Sequence, residues 1–201
     1  GSGYEAKVVF TIDDCYDMDP HRDAFALAQQ YGVPVPVSPL GERIQPEDGE
    51  LWQTIAASDG EIGSHPYRHT KIGRQDKYNL MFSLMKVQEQ LDAVLGYHYP
   101  IRSVRPPFGN YTDDQDSARQ VVSVCRAVGV EHLVLWDVSQ TDPDKAVRKV
   151  QNGSILLFHA RPKDVRCLAQ LIPALQEKGF TFVTVSELLG FEPLATSTDL
   201  Y

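Results

Sequence analysis

Hydrophobic and polar positions follow two alternating periods along the chain. Residues 7–12 (KVVFTI) form an apolar run of strand length. Residues 21–31 carry a helical pattern closed by Gly32, and residues 33–37 read as a short strand weakened by two prolines. A second helix over residues 51–57 ends at the Ser58-Asp59-Gly60 turn, and a strand follows at 61–63. The longest helix spans 77–95, where Leu80, Leu84, Val87, Leu91 and Leu95 recur at three and four residues and Gly96 stops the run. Strands at 101–104, 132–136, 155–158 and 180–185 then alternate with helices at 115–128, 145–151 and 165–178. Gly179 closes the last of these, Ser186 is expected to cap a final helical turn, and 191–201 is a polar tail.

Strand–helix alternation throughout predicts an α/β domain with a largely parallel sheet and helices outside it. No Gly-x-Gly-x-x-Gly follows the first strand, so a dinucleotide-binding fold has no support. About seven strand–helix units instead suggest a closed or nearly closed barrel, whose chemistry gathers where strands end.

Composition narrows the function classes. The 201 residues are 42% apolar, enough for one substantial core. A formal net charge of −8 lacks the Lys and Arg excess that a nucleic-acid partner requires. No run of about 18 apolar residues exists to span a membrane. Gly1-Ser2-Gly3 reads as a cloning remnant, and no leader is visible. Cys15, Cys125 and Cys167 form no Cys-x-x-Cys pattern and no dense disulfide framework.

The unusual polar residues all fall at predicted strand ends. Asp13 and Asp14 follow the first strand, His65 and His69 the third, Arg105 the fourth, Asp137 and Asp142 the fifth, and His159 the sixth. His65 and His69, four apart, are expected to share one face of a helical turn and to reach one ion. Alone, a His-x-x-x-His pair is equally a solvated loop. A carboxylate would complete three ligands and leave a fourth position open. Side chains of Asp13 and Asp14 diverge in an extended segment, so one can ligate while the other faces water; otherwise they form a turn pair. Arg105 opens the rigid Arg105-Pro106-Pro107-Phe108-Gly109 loop and can orient a carboxylate, or is a surface arginine. His159 supplies the acid the rest lacks, or is a strand-end histidine. Trp52, Tyr67 and Tyr111 are candidates for stacking on sugar rings, and Trp136 for the core.

Five segments in order, Thr11-Ile12-Asp13-Asp14, Ser64-His65-Pro66-Tyr67-Arg68-His69, Arg105-Pro106-Pro107-Phe108-Gly109, residues 136–142 and Leu157-Phe158-His159, give the chain a resemblance to the polysaccharide deacetylases of carbohydrate esterase family four, the NodB homology domain. The resemblance implies a distorted (β/α) barrel of about seven strands in a single domain over residues 4–190. It implies one divalent metal, zinc first with cobalt or nickel allowed, held by Asp14, His65 and His69. Asp13 becomes the general base, Arg105 its partner, His159 the general acid supported by Asp142, and the Phe108 N–H an oxyanion donor. Leu157 lines the acetyl pocket, and Tyr67 contacts substrate. The implied activity is hydrolysis of N-acetyl, or O-acetyl, groups on a sugar polymer by a secreted or envelope-associated protein. Cys15, Pro66, Ser139, Pro143 and Ala160 depart from the family's usual residues. A carbohydrate-binding protein with impaired catalysis and a metal-dependent amidase for small amides are the competing readings.

Overall fold

A computed structural model describes residues 5–191; the expected remnant at 1–3 and residues 192–201 of the polar tail lie outside the described residues. The first strand, β1 (Ala6–Asp14), is the axis of the sheet. Its β-branched and aromatic run is buried on both faces, as a parallel strand covered by helices requires. On one side it pairs in parallel with β2 (Pro36–Pro39), and β2 pairs with β3 (Glu61–Ile62). Further partners, also parallel, are β6 (Ile155–Phe158) and β7 (Phe180–Phe182). A separate parallel pair joins β4 (Ser103–Val104) to β5 (His132–Leu133). Isolated bridges Ser64–Val104 and Val138–Leu156 link that pair to β3 and β6. The expected barrel is therefore distorted and not closed: single bridges, not continuous ladders, connect the two sheets.

Helices α1 (Met18–Gln30), α2 (Gly49–Ala56), α3 (Lys77–Leu95), α4 (Gln115–Ala127), α5 (Pro143–Lys149), α6 (Pro162–Glu177) and α7 (Val185–Leu188) alternate with the strands. Side-chain alternation sorts β1 into two faces. Val8, Phe10 and Ile12 join Leu156 and Phe158 in the main core, where Phe10 meets Phe158 and Phe182 edge-on. Val9 packs on the other face with Val134, Val183 and Val185. Thr11 and Asp13 continue that face. Arg105, just past β4, reaches both of them, so this contact joins the two sheets.

Several expected boundaries shift for local reasons. Helix α1 begins at Met18 because Asp17 accepts the Asp19 N–H. The strand expected at 33–37 sits at 36–39, where the end of β1 offers a partner. Strands expected at 132–136 and 180–185 shorten to β5 and β7. Thr184, not Ser186, caps α7 in a capping box with Glu187. Ser186 instead donates through its N–H and hydroxyl to the buried Glu61 carboxylate.

Candidate metal centre

The site starts from an irregular end to β1. Asp14 and Cys15 both have positive φ, 66° and 61°. The left-handed region costs a non-glycine residue roughly 1–2 kcal/mol. This reversal turns the Asp14 carboxylate to the rim while Asp13 keeps its inward direction. Cys15 is fully buried, so its position carries both strain and packing.

His65 and His69 lie on a loop of bends, not on the expected helical turn. The Pro66 and Tyr67 carbonyls accept N–H bonds from Gly41 and Glu42, so they are not committed to a helix. Gly41 is required at this approach, because a Cβ there would lie 2.6 Å from the Tyr67 ring. The loop nevertheless brings both imidazoles to one oxygen: Asp14 Oδ1 is 3.0 Å from His65 Nε2 and 3.7 Å from His69 Nε2. The ligand atoms of Asp14, His65 and His69 all lie within 4.8 Å of one another.

The donor chemistry tests whether a cation fits. His65 Nδ1 lies 2.6 Å from the Arg105 carbonyl, which can only accept, so Nδ1 carries a proton. A neutral ring then turns the Nε2 lone pair toward a carboxylate oxygen. Two acceptors face each other unless positive charge lies between them, as a ring proton or a cation. Ligands at about 2.1 Å on a tetrahedral centre stand about 3.4 Å apart, and the two separations bracket that spacing. The three residues fit a divalent cation.

Charges around the cluster are uneven. Burial raises the Asp13 carboxyl above its usual range despite Arg105 and His65, which lower it. Burial also opposes ionisation of Asp14, but the His65 hydrogen bond and nearby imidazole charge prevail and its pKa falls. The His69 pKa is lowered by burial and by His65. Arg105 is almost completely buried: its Nε approaches Asp13 Oδ2 at 3.8 Å, its Nη2 donates to Thr11 Oγ1 at 2.9 Å, and Trp136 faces its guanidinium at 5.2 Å. Trp136, expected in the core, is half-buried at this edge. The Phe108 backbone turns at φ 60°, and its exposed ring meets His69 edge-on at 4.4 Å.

Asp13, Asp14, His65, His69, Arg105, Phe108 and His159 thus share one rim. Leu157, buried and in register with Thr11, lies on the same face below His159. Two expectations differ. Asp142 caps α5, accepting the Lys145 N–H at 3.0 Å and pairing with the Lys145 ammonium, and among the described residues it makes no bond to His159. Its competitor Asp137 accepts from Ser154 Oγ and the Ile155 N–H, so it too is engaged elsewhere. Tyr67 is half-buried, packs against Gly41 and carries Lys86 over its ring at 4.2 Å. Trp52 is fully buried, and Tyr111 packs beside the α3–α4 cluster.

Sequence reasoning missed two neighbours. Tyr16, half-exposed just after the acidic pair, lies under the Arg43 guanidinium at 4.5 Å. Arg161 donates through Nη2 to His159 Nδ1 at 3.3 Å. The Arg-x-x-Asp spacing at the start of α6 was the available signal for the second. A cavity of about 390 Å³, lined by Leu84, Met85, Gln88 and Ile101, lies between α3 and α4 and not at this rim.

The family model described as Polysaccharide deacetylase matches residues 2–124. A Peptidoglycan-N-acetylglucosamine deacetylase of Bacillus cereus is 26% identical over 203 residues, covering 94% of this chain and 90% of that protein. The uncharacterized protein YlxY of Bacillus subtilis is 26% identical over 149 residues; the match covers 70% of this chain but only 44% of that protein's length. Among solved structures, a mutant of BA3943, a Bacillus anthracis CE4 family pseudoenzyme with restored enzymatic activity, aligns with a TM-score of 0.80 at 22% identity, covering 92% of this chain and 68% of that one. That likeness shows the fold.

Proposed function

Because the chain belongs to the polysaccharide deacetylase family, we propose that it hydrolyses the N-acetyl group of an acetylated sugar polymer, releasing acetate and a free amine. The observation that carries this reading is the convergence of Asp14, His65 and His69, with Asp13 beside them. The name of the Bacillus cereus relative supports a peptidoglycan-type substrate and action at the cell envelope.

Asp14, His65 and His69 would hold one divalent cation, with zinc first for a two-imidazole, one-carboxylate set. When bound, the cation would supply Lewis-acid chemistry, lowering the pKa of water and polarising the acetyl carbonyl. Asp13, on the inward face and beside Arg105, takes a proton from the attacking water. The oxyanion would take its hydrogen bond from the N–H of Phe108, a residue that turns at φ 60°. His159 donates a proton to the departing nitrogen. Leu157 gives the acetyl methyl an apolar contact.

Acetate release from acetylated oligosaccharides and peptidoglycan, with zinc added and with chelator, tests the reading. Release that depends on the metal supports it. No release from any polymer, under either condition, rejects it. One observation favours a second reading, a sugar-binding protein with impaired catalysis: neither Asp142 nor Asp137 supports His159. Sugar binding without acetate release would favour that alternative.

A further inference from the structure

Three cations stand over aromatic rings around the candidate metal centre. The Arg43 guanidinium lies 4.5 Å from the centre of the Tyr16 ring, Lys86 Nζ 4.2 Å from that of Tyr67, and Lys71 Nζ 6.0 Å from that of Phe108. Each ring belongs to the neighbourhood of a proposed ligand. Tyr16 is two residues past Asp14, Tyr67 lies between His65 and His69 in the chain, and the Phe108 ring meets His69. The short helical turn Gly41–Arg43 ties the first two neighbourhoods together. The Leu40 N–H before it donates to the Asp14 carbonyl, and the Gly41 and Glu42 N–H groups donate to the Pro66 and Tyr67 carbonyls. Arg43 is therefore carried on backbone that is bonded to both ligand segments.

These cations lack acidic partners. None of the three forms an ion pair among the described residues. Glu42, next to Arg43, pairs with Arg68 at 3.6 Å. Asp113, whose carboxyl Lys71 helps hold below its usual range, is taken by Arg74. Arg43 Nε is buried with no hydrogen-bond partner among the described residues. An unpaired buried donor is costly, and a ring face attracts a cation without giving its N–H fork an acceptor atom. The whole chain carries a net charge of −8, so positive charge gathered at this rim runs against its composition. A guanidinium fork matches a carboxylate in shape and charge. Each cation is one aromatic ring away from a proposed ligand, so it reaches groups on the acetylated sugar or on its immediate neighbour. We propose that Arg43, with Lys86 and Lys71, forms a carboxylate-recognising rim that selects a glycan whose sugars carry carboxylates over a neutral one. The proposal deepens the deacetylase reading by giving its substrate a charge class, and its kinetic part rests on that reading. Its binding part stands without it.

A matched pair of probes tests both parts. One is a peptide-free tetrasaccharide of peptidoglycan, whose alternate sugars carry a free carboxylate. The other is the same tetrasaccharide with those carboxylates capped as methyl amides. Binding is measured by calorimetry on the zinc-loaded full chain in a His159→Ala background, which keeps turnover from consuming the probe. The parent should bind the free acid about tenfold more tightly than the amide, the order expected for a hydrogen bond to a charged group, and added salt should narrow that preference. Arg43→Gln should remove most of the preference, and Arg43→Lys, which keeps the charge and loses the fork, should retain part of it. Lys86→Gln, on α3, leaves Tyr16 and the Gly41–Arg43 turn untouched and should lower the preference by a smaller factor. With His159 intact, the ratio of kcat/KM for acid over amide, read by acetate release, should fall in the same variants through KM. Equal binding of the two probes by the parent, or a preference that survives both Arg43→Gln and Lys86→Gln, overturns the proposal. If the preference is present and is lost in Arg43→Gln while the wild type releases no acetate from either probe, the deacetylase reading fails and the carboxylate site stands.

Discussion

His65 faces Asp14 across 3.0 Å with the ring nitrogen that its other hydrogen bond leaves without a proton. The Arg105 carbonyl therefore decides what can lie between the two residues, and it lies on the same loop as the proposed oxyanion donor. His65→Ala removes both the ligand and its orienting bond. Metal analysis after dialysis should show content falling from about one ion per chain to a small fraction, and acetate release should fall with it. Equal metal content in variant and wild type would remove His65 from the ligand set.

Asp13 and His159 are expected to act on protons and not on the cation. Asp13→Asn and His159→Ala should each retain metal and fold while losing about 10²–10⁴ in turnover, the usual worth of a general base or acid. Circular dichroism and metal content serve as controls for acetate release. Near wild-type rates in both variants would reject these roles.

Asp142 separates what the motif implies from what its surroundings do. Its carboxylate accepts the Lys145 N–H at the start of α5. Asp142→Ala should lower the urea midpoint, because it removes the N-cap of α5. Acetate release should stay within about twofold, since tenfold in rate already corresponds to about 1.4 kcal/mol of barrier. A hundredfold loss of rate without a change in midpoint would restore the supporting role that the motif implies.

This contrast marks how much of the fold and site is legible in the sequence. Periodicity located β1, β6 and α3 because long apolar runs and regular leucine spacing are local signals. The polar residues of the rim could be found because each follows such a run. Positions governed by long-range geometry were not. The histidine loop is bent by bonds from Gly41 and Glu42, more than twenty residues away in sequence. The partner of His159 depends on a left-handed turn at an alanine, a conformation that residue type does not announce. Two-residue strands such as β3 and β4 are too short to carry a period, and the sequence could not say that single bridges would join them.

Far from the rim, His21 ties stability to pH. It is fully buried on α1, its ring 5.6 Å from that of Trp52 on α2, and neither ring nitrogen has a hydrogen-bond partner among the described residues. Burial, with a smaller contribution from Arg22, lowers its pKa to about 4, against Asp48, which raises it. The unfolded chain takes up this proton near the ordinary histidine value of about 6.5. Between those two values the unfolded state binds more protons than the folded one, so stability rises with pH through this window and is lost as pH falls. The full contribution is present above the unfolded value. A shift of this size corresponds to roughly 3 kcal/mol between the ends of the window. His21→Leu replaces the ring with a side chain that cannot titrate. Urea unfolding of both proteins from pH 4 to pH 7 should give a wild-type stability that falls faster on acidification, and the difference curve isolates His21 because the other acids and imidazoles are common to both. Parallel curves over that range would show that His21 keeps its proton equilibrium on folding.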